Sequence, residues 1–256
     1  MRTTTDARAI ATRPVLFFDF DNTITEGDVL DRVIERFSVT DDWKRWEGAW
    51  IRGEISTEEC LDRQVAGLRA SKAELLDFVA DFSVDKNFES IVRWAASEQI
   101  ELAICSDNFS CLVREILSRR ALPELPLYAN ELTFVGNRPK AHFPFKSRDC
   151  ARCANCKVTH FKDFPGRSTI YVGDGLSDVC PALAADLVFA KDSLAAYLGS
   201  RGVRFEPFVS LETVADFLIG EIGSTTMSKR ASRRMLGGIP ALNIEKPMPE
   251  RVADDT

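Results

Sequence analysis

The sequence predicts an α/β fold in which a parallel sheet forms the core and a helical cap is inserted after the first strand. Two observations carry this prediction. Short, nearly continuous apolar runs alternate with helical patterns, which is typical of parallel β-α units. About eighty residues of mostly helical pattern also separate the first apolar run from the second, far more than one crossover helix needs.

Five apolar runs are the predicted strands, and the last has the weakest pattern. They span residues 15–20, 100–106, 168–174, 186–190 and 203–208. Runs that are apolar throughout belong in a sheet covered on both faces, where ligands bind at the carboxyl ends of the strands. Because polar residues stand at the ends of the first three runs, we expect the functional site at that edge of the sheet.

The helical cap is predicted at residues 26–99, with its C-terminal part returning to the core. The Rossmann-like core is predicted at residues 14–25 and 100–222. Residues 127–145 are predicted to form a hairpin or flap that turns at Gly136. The expected architecture is therefore a core that is interrupted once by the cap.

The composition suits such a protein and narrows its partners. The chain has 256 residues, 45% of them hydrophobic and 28% charged, which is ample for a core plus an insertion. Its net charge of −6 argues against nucleic acid and against an anionic membrane surface as partners. Residues 1–13 lack the apolar region of a secretory signal, so we expect a cytoplasmic protein. Residues 223–256 mix Ser, Arg, Pro and Gly without a regular period and are predicted to be a disordered tail. The sequence leaves the oligomeric state open.

The stretch FFDFDNTIT at residues 17–25 ends the first apolar run with two aspartates one residue apart. In an extended chain, Asp19 and Asp21 point the same way. Two carboxylates so close repel each other unless a cation, a shared proton or a chemical role compensates. The pair therefore predicts a functional site.

The stretch GDGLSD at residues 173–178 supplies further carboxylates, Asp174 and Asp178, at another strand end. Mg²⁺ binds oxygen ligands and commonly meets a substrate phosphate, so it would neutralise such an acidic cluster. One carboxylate of the first pair would then be free to attack phosphorus, and its neighbour could act as acid and base.

With these motifs the sequence resembles the phosphatases of the haloacid-dehalogenase superfamily. The resemblance rests on four motifs in the expected order: DFDNT (19–23), Ser106 in ICSDN, Lys157 in CANCKV, and GDGLSD (173–178). It covers about residues 14–220. What it implies is a phosphatase with a Rossmann-like core that hydrolyses a small phosphorylated metabolite with the help of Mg²⁺.

The resemblance also implies roles for individual residues. Asp19 would be the nucleophile, and Asp21 the general acid and base whose backbone carbonyl also reaches the metal. Asp174 would bind the metal, and Asp178 would support the metal shell. The remaining two catalytic residues, Ser106 and Lys157, would hold the phosphoryl oxygens.

Two features of the first motif bear on the reaction. Asn22 stands where glycine is frequent in the family, and a turn tolerates it because Asn adopts left-handed backbone angles. Dehalogenases of this fold lack the second aspartate, so Asp21 favours phosphate chemistry. A phosphotransferase or mutase that uses the same aspartyl-phosphate is the alternative, and a silent binding protein would be expected to have lost one of the two aspartates.

Three phosphatase groups resemble the sequence in different places. CARCANCK (150–157) with YVGDGLSDVCP (171–181) resembles the phosphoethanolamine/phosphocholine phosphatases. GDGLSD with ADLVFAKDSL (185–194) resembles the methionine-salvage enol-phosphate phosphatase. Phosphoserine phosphatases share the layout, but of their two basic cap residues only Arg63 remains here.

The candidate substrate-binding residues each have a second interpretation. Asp28 lies where phosphoserine enzymes place an acid for the substrate amine, or it is a solvated cap charge. Asn108 contacts substrate or caps a helix. Arg63 belongs to the cap that is expected to set substrate choice. Trp43, Trp46 and Trp50 share one helix face, which is more typical of cap core than of a site for a quaternary ammonium group.

A cysteine-rich stretch precedes Lys157. Cys150, Cys153 and Cys156 have C-x2-C-x2-C spacing, and His160 follows four residues later. Three thiolates and an imidazole could form a tetrahedral Zn²⁺ site that anchors the loop. Reduced neighbouring thiols are the alternative, since the chain has seven cysteines and no export signal.

Overall fold

The computed structural model describes residues 14–120 and 122–222, and the predicted tail at 223–256 lies outside them. One seven-stranded sheet runs through the described residues in the order β4-β3-β2-β1-β5-β6-β7. Its strands are β1 Val15–Phe18, β2 Glu101–Phe109, β3 Leu127–Val135, β4 Arg138–His142, β5 Thr169–Gly173, β6 Leu187–Ala190 and β7 Glu206–Pro207. All neighbours are parallel except β3 and β4, so the predicted α/β fold is confirmed.

The predicted hairpin is present and has a second function in the sheet. β3 and β4 are antiparallel and turn at Gly136, whose φ is 61°. The first residues of β3 also pair with β2 in parallel, with Leu127 opposite Ile104. The sequence analysis did not predict this pairing, which makes the hairpin an extension of the main sheet.

The buried strands have side chains that alternate between two apolar layers. In β1, Leu16 and Phe18 belong to the larger cluster, whereas Val15 and Phe17 belong to the smaller one on the opposite face. This two-fold period is the reason that a strand buried on both faces has a continuous apolar sequence.

Helices cover both faces. They are α1 Val29–Phe37, α2 Asp42–Ile51, α3 Thr57–Ala66, α4 Lys72–Val79, α5 Lys86–Ser97, α6 Ser110–Ser118, α7 Val179–Ala184, α8 Asp192–Ser200 and α9 Leu211–Phe217. A 3₁₀ helix spans Lys157–Asp163. Within 14–120 and 122–222, none of the helices has the length and apolar character needed to cross a membrane.

The inserted segment begins four of its five helices with strong local signals. Ser56 and Ser71 accept hydrogen bonds from the third amide of α3 and α4, and Glu74 completes a capping box with Ser71. Asp28 accepts from the third amide of α1, and Asp85 accepts from the second amide of α5. These caps fix where each helix starts.

The helices of the insertion do not all lie in the same place. α5 contacts β2 and α9 and so packs on the sheet, whereas α3 contacts α2 and β4. Val29 of α1 and Val65 of α3 are buried in the same apolar cluster as β1, so the apolar core is continuous. The division into core and cap at residues 26 and 99 stays a prediction.

Candidate active site

The carboxyl ends of the central strands form the floor of a cavity of about 250 Å³. Asp19 directly follows β1, and Asp174 directly follows β5, the strand beside it. Ser106 lies in the last part of β2, on the other side of β1. The sheet order therefore brings together residues that are far apart in the sequence.

Lys157 is a buried cation beside Asp19 with 2% of its surface exposed, and it does not itself line the cavity. Its Nζ donates to Asp19 Oδ1 and to Asp178 Oδ1, at 2.6 Å each. Burial by itself would lower the pKa of Lys157, but the charges of Asp178 and Asp19 outweigh it and hold the pKa well above its usual value. Lys157 therefore stays charged beside Asp19.

The carboxylates around Asp19 carry more negative charge than Lys157 can balance. Burial and the charge of Asp178 raise the pKa of Asp19, Lys157 opposes the rise, and Asp174 and Asp21 add to it. Within the part of the chain that the structure describes, no group donates to the other oxygen, Oδ2. Asp19 thus offers one free oxygen to the cavity that it lines.

Asp178 is fully buried and uses both of its oxygens within the protein. Oδ1 accepts from Lys157 Nζ at 2.6 Å and from the Tyr171 hydroxyl at 2.5 Å. Oδ2 accepts from the backbone N–H groups of Asp174 and Gly175 at 3.0 and 3.1 Å. Asp178 therefore orients Lys157 and the turn that carries Asp174.

Asp174 is oriented by two residues of the first motif. Its Oδ2 accepts from Asn22 Nδ2 at 2.8 Å, and its Oδ1 accepts from the Thr23 hydroxyl at 3.1 Å. Burial and the charge of Asp178 raise the pKa of Asp174 to about 6, against the effect of these two hydrogen bonds. Asn22 has a φ of 52°, the left-handed angle that the sequence analysis expected it to tolerate.

Three of the carboxylates are placed so that they could hold a metal ion. One oxygen each of Asp19, Asp174 and Asp178 lies within 4.8 Å of the others. Because Asp178 already accepts four hydrogen bonds, Asp19 and Asp174 have the more available oxygens. An oxygen-only donor set of this kind suits a hard divalent cation.

Asp21 faces the start of α1. Its Oδ1 accepts from the backbone N–H groups of Val29 and Leu30 and from Asn108 Nδ2, and its Oδ2 accepts from the Ser106 hydroxyl at 3.3 Å. Burial raises the pKa of Asp21 to about 6, although the hydrogen bonds from Asn108, Leu30 and Val29 oppose the rise. A carboxyl group that titrates near neutral pH can both give and take a proton.

Asn108 positions Asp21 and does not cap α6. Its side chain donates to Asp21 Oδ1 at 2.8 Å, and α6 begins after Phe109 without a side-chain cap. The Ser106 hydroxyl in turn accepts from the Asn108 backbone N–H at 2.9 Å. Both side chains are buried, so this group of residues is fixed before any substrate arrives.

The opposite wall of the cavity comes from α1, α2 and α3. Its apolar part includes Leu30, Ile34 and Trp50, and the Trp50 Nε1 donates to the Thr57 hydroxyl at 3.0 Å. Trp50 therefore lines the cavity with its ring held in place. Of the three tryptophans on that helix, Trp43 instead packs against the apolar core.

The charged part of this wall is acidic. Asp28, Asp31 and Glu47 line it, and no Lys, Arg or His of the described residues lines the cavity. Burial and the charges of Asp21 and Asp31 raise the pKa of Asp28 to about 8, while the hydrogen bond from the Asp31 N–H lowers it. The wall is therefore unsuited to a negatively charged group.

Arg63 does not line the cavity. It is exposed on α3, where it forms an ion pair with Glu59 at 2.6 Å and lies over the ring of Trp46 at 4.2 Å. The structure thus gives this candidate substrate-binding residue a surface role. An exposed pair of this kind contributes little to stability.

The cysteine cluster has a different membership from the one expected. Cys150 contacts Cys153 and Cys156, and Cys153 also contacts Cys180, a residue of α7 outside the C-x2-C-x2-C stretch. The contact with Cys153, together with the N–H groups of Arg152 and Cys153, lowers the pKa of Cys150 to about 5 against the effect of burial.

His160 has its own partners. Its Nε2 pairs with Asn155 Oδ1 at 2.8 Å, and its ring stacks on Tyr128 with the centroids 3.9 Å apart. Burial lowers the pKa of His160 to about 4, so the ring is neutral at pH 7. Asn155 Nδ2 donates to the carbonyls of Ser106 and Tyr128, so His160 supports the loop beside the site.

The sequence analysis missed several residues that hold the site together. Tyr171 and Asn155 are buried polar side chains, and a buried hydroxyl or amide needs a partner, which is the signal that could have identified them. Gly173 had no such signal. A Cβ there would lie 2.5 Å from Asp178 Oδ2, so only glycine lets Asp178 approach the strand end.

Comparisons with known proteins agree with this geometry. Residues 16–182 match the model of the family of haloacid dehalogenase-like hydrolases. A 2-hydroxy-3-keto-5-methylthiopentenyl-1-phosphate phosphatase of Brevibacillus brevis is 29% identical over 187 residues, 71% of this chain and 84% of that protein. A protein of the same name from Lysinibacillus sphaericus is 27% identical, over 77% of this chain and 90% of its own.

Solved structures show the same fold. A phosphoserine phosphatase with a phospho-aspartyl intermediate analogue matches with a TM-score of 0.61 at 15% identity, over 80% of this chain and 99% of its own. A substrate-bound phosphoserine phosphatase matches equally well, with a TM-score of 0.61 over 80% of this chain and 98% of its own.

These relatives are named as phosphatases, so the prediction of an enzyme of the phosphatase class is confirmed and the phosphotransferase alternative is not favoured. The family model spans most of the chain, from the start of β1 into α7, and includes every motif on which the sequence-based assignment rested. The chain belongs to the family of haloacid dehalogenase-like hydrolases.

Proposed function

We propose that the chain hydrolyses a small phosphomonoester in two steps through an aspartyl-phosphate at Asp19. The observation that carries the proposal is the placement of Asp19: one oxygen is held by the charged Lys157, and the residue lines the cavity. Asp21, with a pKa raised to about 6 mainly by burial, lines the same cavity. A nucleophile and an acid-base group are thus available side by side.

In the first step, an Asp19 oxygen forms a bond to phosphorus while the bond from phosphorus to the leaving oxygen breaks. Asp21 gives its proton to that oxygen. In the second step, Asp21 takes a proton from water, the water oxygen bonds to phosphorus, and Asp19 is released. Lys157 and the Ser106 hydroxyl are the groups that we assign to the phosphoryl oxygens.

Mg²⁺ is the cofactor that fits the donor set. Asp19 and Asp174 would hold it directly, with Asp178 keeping both in position, and the contribution of the Asp21 backbone carbonyl stays a prediction. When bound, the ion neutralises the negative charge of the carboxylates and of the phosphoryl group. This role fits the raised pKa of Asp19, which burial and the neighbouring carboxylates cause and a bound cation would oppose.

For the substrate, we propose a leaving group without a negative charge. The apolar wall around Leu30, Ile34 and Trp50 supports the methylthio enol-phosphate that the two relatives are named for. The carboxyl groups of Asp28 and Glu47 favour a second candidate, an amine-bearing ester such as phosphoethanolamine or phosphocholine. A phosphoserine carboxylate would find no cation on this wall among the described residues.

Phosphate release from a panel of esters tests the proposal, with Mg²⁺ and then with EDTA. Phosphoethanolamine and phosphoserine form the sharpest pair, because they differ only by a carboxylate. We expect kcat/KM to be roughly tenfold higher for phosphoethanolamine, a difference of about 1.4 kcal/mol. The enol-phosphate is included in the panel beside these two esters. Full release of phosphate without an added acceptor argues against a phosphotransferase.

Three outcomes would contradict the proposal. Full activity in metal-free protein would exclude the assigned cofactor. A preference for phosphoserine over phosphoethanolamine would exclude the assigned charge selectivity. Turnover that needs an added acceptor alcohol and leaves the phosphoryl group on that acceptor, without free phosphate, would exclude hydrolysis. The cytoplasmic location expected from the sequence stays a prediction.

A further inference from the structure

A bulge in β2 carries part of the active site. The pairing of β2 with β3 shifts register between Cys105 and Phe109, where three residues of β2 stand against one of β3. The three residues are Ser106, Asp107 and Asn108. Bulges turn side chains out of the regular alternation of a strand and are frequent beside active sites. The direction of the Ser106 hydroxyl therefore depends on the contacts that hold this bulge in place.

One buried side chain holds the bulge. Asn155, with 1% of its surface exposed, donates from Nδ2 to the Ser106 carbonyl at 2.9 Å and to the Tyr128 carbonyl of β3 at 2.8 Å. Its backbone N–H donates to Asp107 Oδ1 at 3.0 Å. Carbonyl oxygens only accept hydrogen bonds, so the amide nitrogen must face them, and Oδ1 accepts from His160 Nε2 at 2.8 Å. Asn155 thus links the two strands where their pairing is interrupted.

Asn155 also contacts the backbone of Lys157. The Lys157 N–H donates to the Asn155 carbonyl at 2.9 Å, and the 3₁₀ helix begins at Lys157. From this point the Lys157 side chain reaches Asp19, with 2.6 Å between Nζ and Oδ1. The side chain and the backbone of Asn155 therefore join the strand end that carries Ser106 to the residue that supplies the buried positive charge.

We propose that Asn155 is a positioning residue that fixes the Ser106 hydroxyl and the Lys157 ammonium group relative to each other. The inference rests on the proposed function, in which these two groups hold the phosphoryl oxygens. Phosphoryl transfer depends on donors that are already in place, and a displacement of about 1 Å can cost on the order of 10²-fold in rate. Asn155 itself does not line the cavity, so it acts only through its neighbours.

Asn155→Asp tests this role because it keeps the size of the side chain and replaces the donor with an acceptor. The carboxylate would repel the carbonyls of Ser106 and Tyr128, so the bulge should shift. We expect kcat to fall roughly 30-fold to 100-fold and KM to change by about threefold or less, equally for phosphoethanolamine and for the enol-phosphate. Inhibition by vanadate, which imitates the five-coordinate phosphorus of the transition state, should weaken by a factor close to the loss in kcat.

Two further variants separate positioning from a general loss of stability. Thr169→Val is the control, because Thr169 is buried at the first position of β5, away from the site, and its hydroxyl donates to Asp186 at 3.2 Å. It should lower the midpoint of urea unfolding and leave the kcat of the folded protein unchanged. His160→Phe keeps an aromatic ring beside Tyr128 but removes the donor to Asn155 Oδ1, so it should lower kcat by roughly threefold to tenfold.

Phosphate release by the wild type separates this inference from the proposed function. A wild type that releases no phosphate from any ester would contradict the proposed function, on which the positioning role depends. Release by the wild type together with unchanged kcat and vanadate inhibition in Asn155→Asp would overturn the positioning role alone. A rise in KM without a change in kcat would also overturn it, because it would assign Asn155 to substrate binding. If Asn155→Asp does not fold, His160→Phe decides: a lower kcat at unchanged KM supports the role, and a wild-type kcat overturns it.

Discussion

Lys157 and Arg63 are two cations with opposite surroundings. Lys157 has 2% of its surface exposed and donates to two buried carboxylates at 2.6 Å. Arg63 is exposed, and its partners are Glu59 and the ring of Trp46 on the cap surface. A buried charge requires its partners, whereas an exposed one has water as an alternative, so only the first should be critical for both fold and chemistry.

The same contrast holds for the two sides of the cavity. On the sheet side, Asp21, Asp174 and Asp178 each accept hydrogen bonds from several groups that approach from different elements. On the cap side, the one donor to the Asp28 carboxylate among the described residues is the Asp31 N–H of the helix that it caps. The sheet side is therefore rigid and suited to the phosphoryl group, and the cap side has more freedom to match different leaving groups.

The largest effect is expected for the nucleophile. Asp19→Asn keeps the shape of the side chain but removes its ability to attack phosphorus, so phosphate release should fall on the order of 10⁴-fold or more. Asp21→Asn should cost less, roughly 10²-fold to 10⁴-fold, because it removes only proton transfer. Phosphate release at saturating ester concentration measures both. Activity in Asp19→Asn close to that of the wild type would refute the mechanism.

Lys157→Met should have the largest effect on stability. It leaves Asp19 and Asp178 buried without their cation, and breaking a buried pair in this way costs about 3–5 kcal/mol. Lys162→Met is the matched control, because Lys162 lies exposed on the same 3₁₀ helix, and it should change stability by about 0.5 kcal/mol or less. Urea unfolding followed by circular dichroism measures both, and equal losses would show that burial of Lys157 is not the cause.

A smaller effect is expected from the pH dependence of Asp28. Its pKa is raised to about 8, mainly by burial, so its carboxyl is neutral below that pH and charged above it. KM for phosphocholine, whose ammonium group does not titrate, should therefore fall as the pH rises from 7 to 9. One added charge makes this roughly a fivefold change, or about 1 kcal/mol.

Asp28→Asn removes the titrating group and is the control for this pH profile. Its KM for phosphocholine should stay flat over the same range, whereas the wild type changes. A slope of the same size in both proteins would assign the effect to another group and would remove Asp28 from the proposed leaving-group site.

The smallest effect is expected for Arg63→Ala. Its ion pair is exposed, so stability should fall by about 0.5 kcal/mol or less. The ratio of kcat/KM values for phosphoethanolamine and phosphoserine should stay unchanged, because Arg63 does not line the cavity. A selective loss of phosphoserine hydrolysis would show that the cap brings Arg63 to the substrate.

Apolar runs in the sequence correctly predicted the strands that carry the site. The strands that carry Asp19 and Asp174 are continuous apolar runs, and the burial of both faces of the sheet explains why. The pairing of β3 with β2 was missed, because its partners are joined only by tertiary contacts between Leu127 and Ile104. A hairpin has a local turn signal, and a parallel pairing has none.

The candidate site residues also fall into those that a local motif predicted and those that only tertiary contacts define. The motifs placed Asp19, Asp174, Asp178 and Lys157 correctly in one location, because strand ends meet at one edge of the sheet. Whether Asn108 capped a helix or faced the site depended on where Asp21 lay. The contact between Cys153 and Cys180 was missed because Cys180 lies 24 residues beyond Cys156, so no local spacing indicates it.

The sequence by itself determined the chemistry that this protein can offer: which carboxylates and which lysine it has, and that apolar strands deliver them to one edge of a sheet. Only the tertiary structure decided which of these groups are charged and which are free. Burial lowers the pKa of Lys157, but the neighbouring charges of Asp178 and Asp19 outweigh this effect and keep it high. Arg63 pairs with Glu59 because it lies on the outward face of α3. The charge state and the orientation of a side chain depend on neighbours that are distant in the sequence and that come together only when the chain folds.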